Sequence, residues 1–444
     1  MRGAEPIDVI GVIDNAAISP FQWRVFALLF LVVLIDGYDT QCIAFVAPAI
    51  AKAWDLKASA FAPIFSGGLV GSVLGVALVG VLSDRLGRRK MILLCFALFT
   101  VLTGLCALAG SYAQLLACRM VAGFGLGGVL VNCLPLAAEY APRRSRTLIV
   151  SSCLWGFPFG AVLGGLVAGD MIERFGWPSV FYLGALAPLL MLPFLAMLLP
   201  ESVRFLALAG ERHAAEVARI LSRITRAAHF DARTRFVLSE HSTQRGSVKE
   251  LFRPGLSAAT PLLWLVAFLS MLLVYCLISW VPSALNQAGV PRKLAVQAAA
   301  LLNFAGILGS IAIARLAGAR DPLRLLMGTY LCGAVAVAAI GHAGSGTPML
   351  MAAIFVTGFF LLGGQITVSA YITNFYPTSI RSTGLGLAQA VGRLGSLVGP
   401  LAGGLILATT ERAADMFIYC AAPAVLVAGA LLALAWVGGQ RRAA

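Results

Sequence analysis

Twelve apolar runs, each long enough to cross a bilayer, constrain the fold of this chain more than any other feature. The hydrocarbon core of a membrane is about 30 Å thick, and a helix needs about 20 apolar residues to span it. The runs occupy approximately 24–49, 60–82, 91–110, 114–138, 147–170, 178–199, 259–284, 294–316, 323–342, 347–371, 383–408 and 415–437. Of the 444 residues 60% are hydrophobic and 12% charged, so the sequence predicts an all-α membrane protein with twelve transmembrane helices.

The basic residues predict the orientation of these helices. The formal net charge is +14, yet the odd-numbered hairpin loops contain few cations: Lys52, Lys57, Arg174, Arg292, Lys293 and Arg412. The termini and the other loops carry nearly all the rest. By the positive-inside rule, both the N and the C terminus are expected in the cytoplasm. The positive charge therefore reflects topology, and we expect no nucleic-acid partner.

An internal repeat divides the chain into two halves. A polar segment near 200–256 separates the helices six and six, and identities recur at an offset of 235 residues, as in Gly160 with Gly395 and Gly164 with Gly399. Parallel six-helix repeats are typical of secondary transporters. We predict an N-terminal six-helix bundle over 1–199, a cytoplasmic central loop over 200–256 and a C-terminal six-helix bundle over 257–444.

Two acids interrupt the first apolar run. A charged carboxylate at the centre of a spanning helix costs about 2.5–3.5 kcal/mol, so Asp36 and Asp39 need compensation. Their spacing places both on one helix face, and such a pair can exchange a proton for an ion-pair partner. The first interpretation is proton coupling. The alternative is a permanent salt bridge with Arg119 that only locks the first and fourth helices together.

Arg119 and Arg393 are the candidate intramembrane cations. Arg119 opens the fourth run and needs a carboxylate from the protein or from a substrate. Arg393 lies about ten residues into the eleventh run, hence roughly 15 Å deep. The C-terminal half has no acid at that depth, so we expect Arg393 to bind an anionic ligand. Pairing with Asp36 or Asp39 remains the alternative.

Polar and aromatic side chains in other runs can complete a substrate cavity. The candidates for substrate contact besides the two arginines are Tyr38, Asn132, Trp155, Asn303, Gln365 and Gln389. Aromatic residues beside an arginine suit a flat ring that carries a carboxylate.

The loop between the second and third runs reads Gly80-Val-Leu-Ser-Asp84-Arg85-Leu-Gly87-Arg88-Arg89. Charged contacts in such a loop can hold one of two rigid-body states, so we expect Asp84, Arg85, Gly87 and Arg88 to act in gating, together with Glu139. A purely topological role for the arginines is the alternative. Here the chain resembles the major facilitator superfamily, which carries this signature in the same loop.

Further motifs narrow the resemblance to the aromatic acid:H+ symporter family. These are Asp36-Gly37-Tyr38-Asp39, the loop signature, Arg119 with its glycines, Glu139-Tyr140-Ala-Pro142, Pro200-Glu201-Ser202-x-Arg204, Gly392-Arg393 and Gly399-Pro400. The resemblance implies the major facilitator fold and proton-driven import of an aromatic monocarboxylic acid, such as 4-hydroxybenzoate, benzoate or protocatechuate, across a bacterial inner membrane. It also assigns Asp36 and Asp39 to proton coupling.

Other functions remain open at this point. The chain can carry another organic acid, export its substrate, or act as a membrane sensor that binds aromatic acids without carrying them. We do not expect an enzyme, because the sequence has no nucleotide loop and no nucleophile-base pair. All nine cysteines fall within predicted helices and form no C-x-x-C pair, so we expect no metal site and no cofactor. We expect a monomer.

Overall fold

The computed structural model describes residues 7–225, 230, 236–237, 248–253, 256–319, 321–342, 347–377 and 380–443. Among these residues, twelve helices are long and apolar enough to cross a membrane, which confirms the predicted number. In chain order they are α1 (Pro20–Ala53), α2 (Ala62–Leu86), α3 (Arg88–Ala107), α4 (Tyr112–Tyr140), α5 (Arg146–Phe175), α6 (Pro178–Leu198), α7 (Ala259–Gln287), α8 (Arg292–Ala319), α9 (Pro322–His342), α10, α11 (Arg381–Thr409) and α12 (Ala421–Ala443). A helix satisfies its own backbone hydrogen bonds, which a chain in lipid requires.

Helix α10 changes its winding in mid-course. It consists of Thr347–Thr357, a π-helical turn at Gly358–Leu362, and Gly363–Phe375. Such turns widen a helix locally and are frequent at functional sites. The π-helical turn ends three residues before Gln365, one of the predicted substrate contacts.

Short elements complete the described chain. Residues Ile7–Asp8 and Phe236–Val237 form a two-stranded parallel pair. Short α-helices cover Val9–Asn15, Val203–Leu208, Ala214–Thr225 and Asp415–Tyr419, and 3₁₀ turns cover Ala58–Phe61, Glu211–His213 and Val248–Phe252.

The first of two compact units comprises Met1–Thr40, Val70–Gly160 and Phe181–Ser242. Within it, α1 and α5 approach so closely that a Cβ atom at Gly160 would lie 1.8 Å from the Leu34 carbonyl oxygen. Only glycine permits this approach of two backbones. The apolar core of this unit includes the fully buried Phe96 and Phe99 of α3 and Leu136 of α4.

The second compact unit comprises Gln41–Leu69, Ala161–Val180 and Thr243–Ala444. Within it, α7 and α11 make a contact like that of α1 and α5, because a Cβ atom at Gly395 would lie 2.1 Å from the Phe268 carbonyl oxygen. Gly160 and Gly395 are one of the residue pairs predicted from the repeat. The internal repeat thus appears as the same close helix contact inside each unit, while the predicted division at 199 and 256 stays a prediction.

Candidate functional site

The acid pair of α1 lies in the first unit, and Asp39 is ion-paired with Arg119 of α4. The two side chains are 3.0 Å apart between Arg119 Nη1 and Asp39 Oδ2, and Arg119 Nη2 also donates to the Asp39 backbone carbonyl at 3.0 Å. Asp39 is 0% exposed and Arg119 3% exposed. This arrangement neutralises both charges in an apolar environment.

Thr103 of α3 completes the surroundings of Asp39. Its hydroxyl donates to Asp39 Oδ1 at 2.5 Å, so both carboxylate oxygens are hydrogen-bonded. The sequence contained no signal for Thr103, because threonine is frequent in spanning helices and only the packing of α3 against α1 brings it to the acid.

Asp36 lies one turn before Asp39 on α1 and is 5% exposed. The hydroxyl of Thr40 donates to Asp36 Oδ1 at 3.4 Å, whereas the Arg119 ion pair is made with Asp39. Tyr38 packs towards α6, where a Cβ atom on Gly184 would lie 3.1 Å from its ring.

Arg393 of α11 lies in the second unit and is partly buried. Within that unit its side chain makes no hydrogen bond or ion pair to a described residue. A guanidinium keeps its charge and presents a planar fork of donors. The described part of the second unit thus leaves Arg393 available to a carboxylate.

Gln365 and Gln389 lie together in the second unit. With Ser369 and Met271 they line a small cavity between α7, α10 and α11. The Gln365 amide nitrogen reaches Met271 Sδ at 3.5 Å, an ordinary distance for a sulfur acceptor, and Ser369 Oγ at 3.5 Å, which is long for a hydrogen bond. Met271 and Ser369 were not predicted, since neither is distinctive in an apolar run.

The remaining polar candidates are spread over both units. Asn132 of α4 is 0% exposed, and its amide nitrogen donates to the Gly128 carbonyl at 2.8 Å. Its side-chain oxygen has no hydrogen-bond partner among the described residues. Asn303 of α8 donates to its own helix at Ala299 (2.9 Å), and Trp155 of α5 is partly buried in the first unit.

The loop motif and the end of α4 meet in the first unit. Arg88 Nε lies 2.9 Å from Glu139 Oε1, and the Ser202 hydroxyl donates to the other oxygen of Glu139. The neighbouring Glu201 accepts from the backbone N–H of Arg89 at 2.9 Å. We define Arg88, Glu139, Glu201 and Ser202 as the inner network, which links the start of α3 to the end of α4 and to the segment after α6.

Gly87 belongs to this inner network for a steric reason. Its φ of 93° lies in the left-handed region, and a Cβ atom there would lie 2.4 Å from Glu201 Oε2. Asp84 and Arg85 do not join it: both are exposed, and no described residue forms a salt bridge with either. The structure therefore brings together Gly87, Arg88 and Glu139 of the predicted gating residues and leaves two outside.

A further set of contacts lies within the second unit. Lys293 Nζ of α8 is 2.5 Å from Asp170 Oδ1 of α5. The Ser66 hydroxyl of α2 donates to the Leu397 carbonyl of α11 at 2.9 Å, and the rings of Phe65 and Trp280 pack edge to face at 5.1 Å. We call these contacts the outer cluster.

A cavity of about 600 Å³ in the first unit does not suit a carboxylate. It is lined by the helix Val9–Asn15, the residues that follow it, and the end of the helix Ala214–Thr225. Among the described residues, the lining contains the acid Asp8 and no lysine or arginine. An anionic ligand would meet a like charge there, and none of the described lining residues offers a compensating cation.

Comparisons with known proteins identify the family. The Major Facilitator Superfamily model matches residues 29–349. The gallate transporter of Pseudomonas putida is 35% identical over 429 residues, which cover 96% of this chain and 95% of that protein. The 4-hydroxybenzoate transporter PcaK of Pseudomonas aeruginosa is 33% identical, covering 97% of this chain and 96% of that protein. The benzoate transport protein of Acinetobacter baylyi is 29% identical, with coverages of 95% and 91%.

Solved structures support the same fold. The crystal structure of a D-xylose-proton symporter superposes with a TM-score of 0.71 at 17% identity, covering 92% of this chain and 97% of that one. The partially occluded inward-open xylose transporter XylE of E. coli gives a TM-score of 0.68 at 18% identity, with the same coverages. At these identities the likeness concerns the fold alone, which is the predicted major facilitator fold. The chain belongs to the Major Facilitator Superfamily and, by its full-length relatives, to the aromatic acid:H+ symporter family.

Proposed function

We propose that this protein is a proton-coupled symporter that imports an aromatic monocarboxylate, such as 4-hydroxybenzoate, benzoate or protocatechuate, by alternating access. The proposal rests on a contrast between two arginines. Arg119 is neutralised by its ion pair with Asp39, while Arg393 has no partner among the described residues of its unit. Relatives named as gallate, 4-hydroxybenzoate and benzoate transporters, which align over nearly the whole chain, support the substrate class.

Arg393 binds the substrate carboxylate in this proposal. Its planar donors match a carboxylate in a bidentate geometry, which a lysine does not offer. The remaining substrate contacts in this proposal are Tyr38, Asn132, Trp155, Asn303, Gln365, Gln389 and, after release from Asp39, Arg119.

Asp39 and Asp36 carry the proton. Protonation of Asp39 removes the negative charge that holds Arg119, and the change of partner favours a second conformation of the helices. The inner network with Asp84 and Arg85 acts in gating. Since the cytoplasm is electrically negative, an anion accumulates there only if a co-transported cation offsets its charge.

The charge distribution also supports a topology. We place the protein in the bacterial inner membrane as a monomer, with both termini and the central segment 200–256 in the cytoplasm and a six-helix bundle on either side of that segment. Fusions of a periplasm-dependent reporter to the two termini would be inactive under this topology, and an active fusion would contradict it.

Uptake into proteoliposomes tests the function. Radiolabelled 4-hydroxybenzoate, benzoate and protocatechuate are offered with and without an inward proton gradient, to wild type and to Asp39→Asn. We expect gradient-driven uptake by wild type, and its loss in the variant, because an amide cannot carry the proton. The exposed Asp321→Asn serves as the matched control and keeps wild-type uptake.

Two outcomes would overturn the proposal. If folded wild type carries none of the acids, counterflow with quinate, shikimate and dicarboxylates identifies another substrate. If the acids bind without flux, the protein is a sensor. If wild type takes up the acids at the same rate with and without the proton gradient, the substrate class stands and the proton coupling is contradicted.

A further inference from the structure

The small cavity of the second unit combines a very small volume with several polar side chains in its lining. Its volume is about 10 Å³, room for one water-sized oxygen atom. The lining comes from three helices: α7 contributes Ser270 and Met271, α10 contributes Gln365 and Ser369, and α11 contributes Gln389. A carboxylate has two oxygens and exceeds this space, whereas a single hydroxyl group fits.

The amides at the cavity have unused hydrogen-bonding capacity. A glutamine offers two donor hydrogens and one acceptor oxygen. The Gln365 amide nitrogen donates to Met271 Sδ at 3.5 Å and makes only a long contact of 3.5 Å with Ser369 Oγ, and no described residue hydrogen-bonds the Gln389 amide. A phenolic hydroxyl both donates and accepts, so it can satisfy an amide oxygen and an amide N–H in one place.

The cavity lies one helical turn from the proposed carboxylate site. Gln389 and Arg393 are at positions i and i+4 of α11. This spacing places them on the same helix face, about 6 Å apart along the axis. This spacing matches a benzene ring that carries a carboxylate at one end and a hydroxyl group at the other. The ring would lie along α11 between the two side chains.

We infer that the cavity formed by Gln365, Ser369 and Gln389 receives a ring hydroxyl of the substrate, para to the carboxylate that Arg393 binds. The inference rests on the proposed function and narrows its substrate class to hydroxylated aromatic acids. Benzoate leaves the two amides without a partner, so the carrier prefers 4-hydroxybenzoate to benzoate. A site built to hydrogen-bond a hydroxyl discriminates against the analogue that lacks it.

The test compares two acids that differ by one hydroxyl. Initial uptake rates of 4-hydroxybenzoate and benzoate are measured over a concentration series for wild type, Gln365→Leu and Gln389→Leu. Leucine removes the hydrogen bonds at similar volume. We expect transport efficiency for 4-hydroxybenzoate to fall about five- to tenfold more than that for benzoate in each variant. The exposed Gln287→Leu at the end of α7 is the matched control and keeps the wild-type preference.

Benzoate uptake shows in the same experiment that each variant folds and operates. Equal losses for both acids would overturn the inference, and so would an unchanged preference in both variants, which would mean that the cavity holds a structural water only. In either case wild type still carries aromatic acids and the proposed function stands. If wild type carries neither acid, the proposed function fails and this inference fails with it.

Discussion

The two intramembrane arginines have opposite surroundings. Arg119 in the first unit is buried and held by the side chain and the backbone carbonyl of Asp39. Arg393 in the second unit is partly buried, and its side chain contacts no described carboxylate of that unit. Since a guanidinium stays charged, the first arginine is neutralised within the protein, and the second is the one that we propose to bind an external anion. Under the proposed function, the comparison separates a charge that takes part in coupling from a charge that recognises substrate.

The largest expected effect is on stability, at Arg119. The variant Arg119→Gln leaves the Asp39 carboxylate buried without its ion-pair partner. Such a loss lowers the free energy of unfolding by about 3–5 kcal/mol. Unfolding in mixed detergent micelles would measure the change. The double variant Asp39→Asn/Arg119→Gln should recover most of it, because it removes both charges. A single variant as stable as wild type would contradict the buried pair.

The next effect is on transport, at Arg393. The variant Arg393→Gln loses the charged donors for the carboxylate, and we expect transport efficiency to fall about 100-fold, as for other truncated charge pairs. Its unfolding should match wild type, in contrast to Arg119→Gln. The exposed Arg412→Gln controls for a lost positive charge. If Arg393→Gln is instead destabilised to the same extent as Arg119→Gln, Arg393 pairs with an acid of the protein and the comparison fails.

A smaller effect is expected in the inner network. Glu139 binds Arg88 and Ser202 in a partly exposed setting, so the variant Glu139→Gln weakens contacts worth about 1 kcal/mol and shifts a conformational equilibrium about fivefold. We expect a lower maximal uptake rate at an unchanged half-saturating concentration. The exposed Glu411→Gln is the control. An altered substrate affinity would place Glu139 in binding and not in gating.

The smallest effect is expected in the outer cluster. Asp170 and Lys293 form an ion pair in which both side chains are more than 40% exposed. Exposed pairs contribute little because water screens them, so Asp170→Asn should leave uptake within about twofold and the unfolding midpoint unchanged. Uptake by wild type and variant at low and high salt would check this. If Asp170→Asn reduces uptake as much as Arg393→Gln does, the exposed ion pair contributes to transport and the expected small effect is wrong.

The fold was predictable because lipid imposes a simple rule. Continuous apolar runs of about 20 residues can only be helices, and all twelve predicted runs are helices in the structure. The bounds differ mainly where helices extend beyond the apolar run. Helix α1, for example, begins at Pro20 and ends at Ala53, whereas the run covers 24–49.

The site was predictable only in part. Isolated charges in apolar runs identified Asp39, Arg119 and Arg393, since each needs a partner, but the partner itself depends on helix packing. Thr103 and Ser202 were not predicted for that reason. In addition, serine and threonine form no distinctive sequence pattern. Conversely, the loop motif predicted Asp84 and Arg85 together with Gly87, yet the exposed pair stays apart from the inner network.

Proton movement during substrate transport tests the central claim most directly. A pH-sensitive dye trapped in proteoliposomes reports lumenal acidification when 4-hydroxybenzoate is added outside at equal pH. Vesicles with Arg393→Gln correct for acid that crosses the lipid unaided. The account predicts rapid acidification with wild type, and only the background rate with Asp39→Asn. Wild-type uptake of labelled acid without acidification above background, or equal acidification with Asp39→Asn, would contradict it.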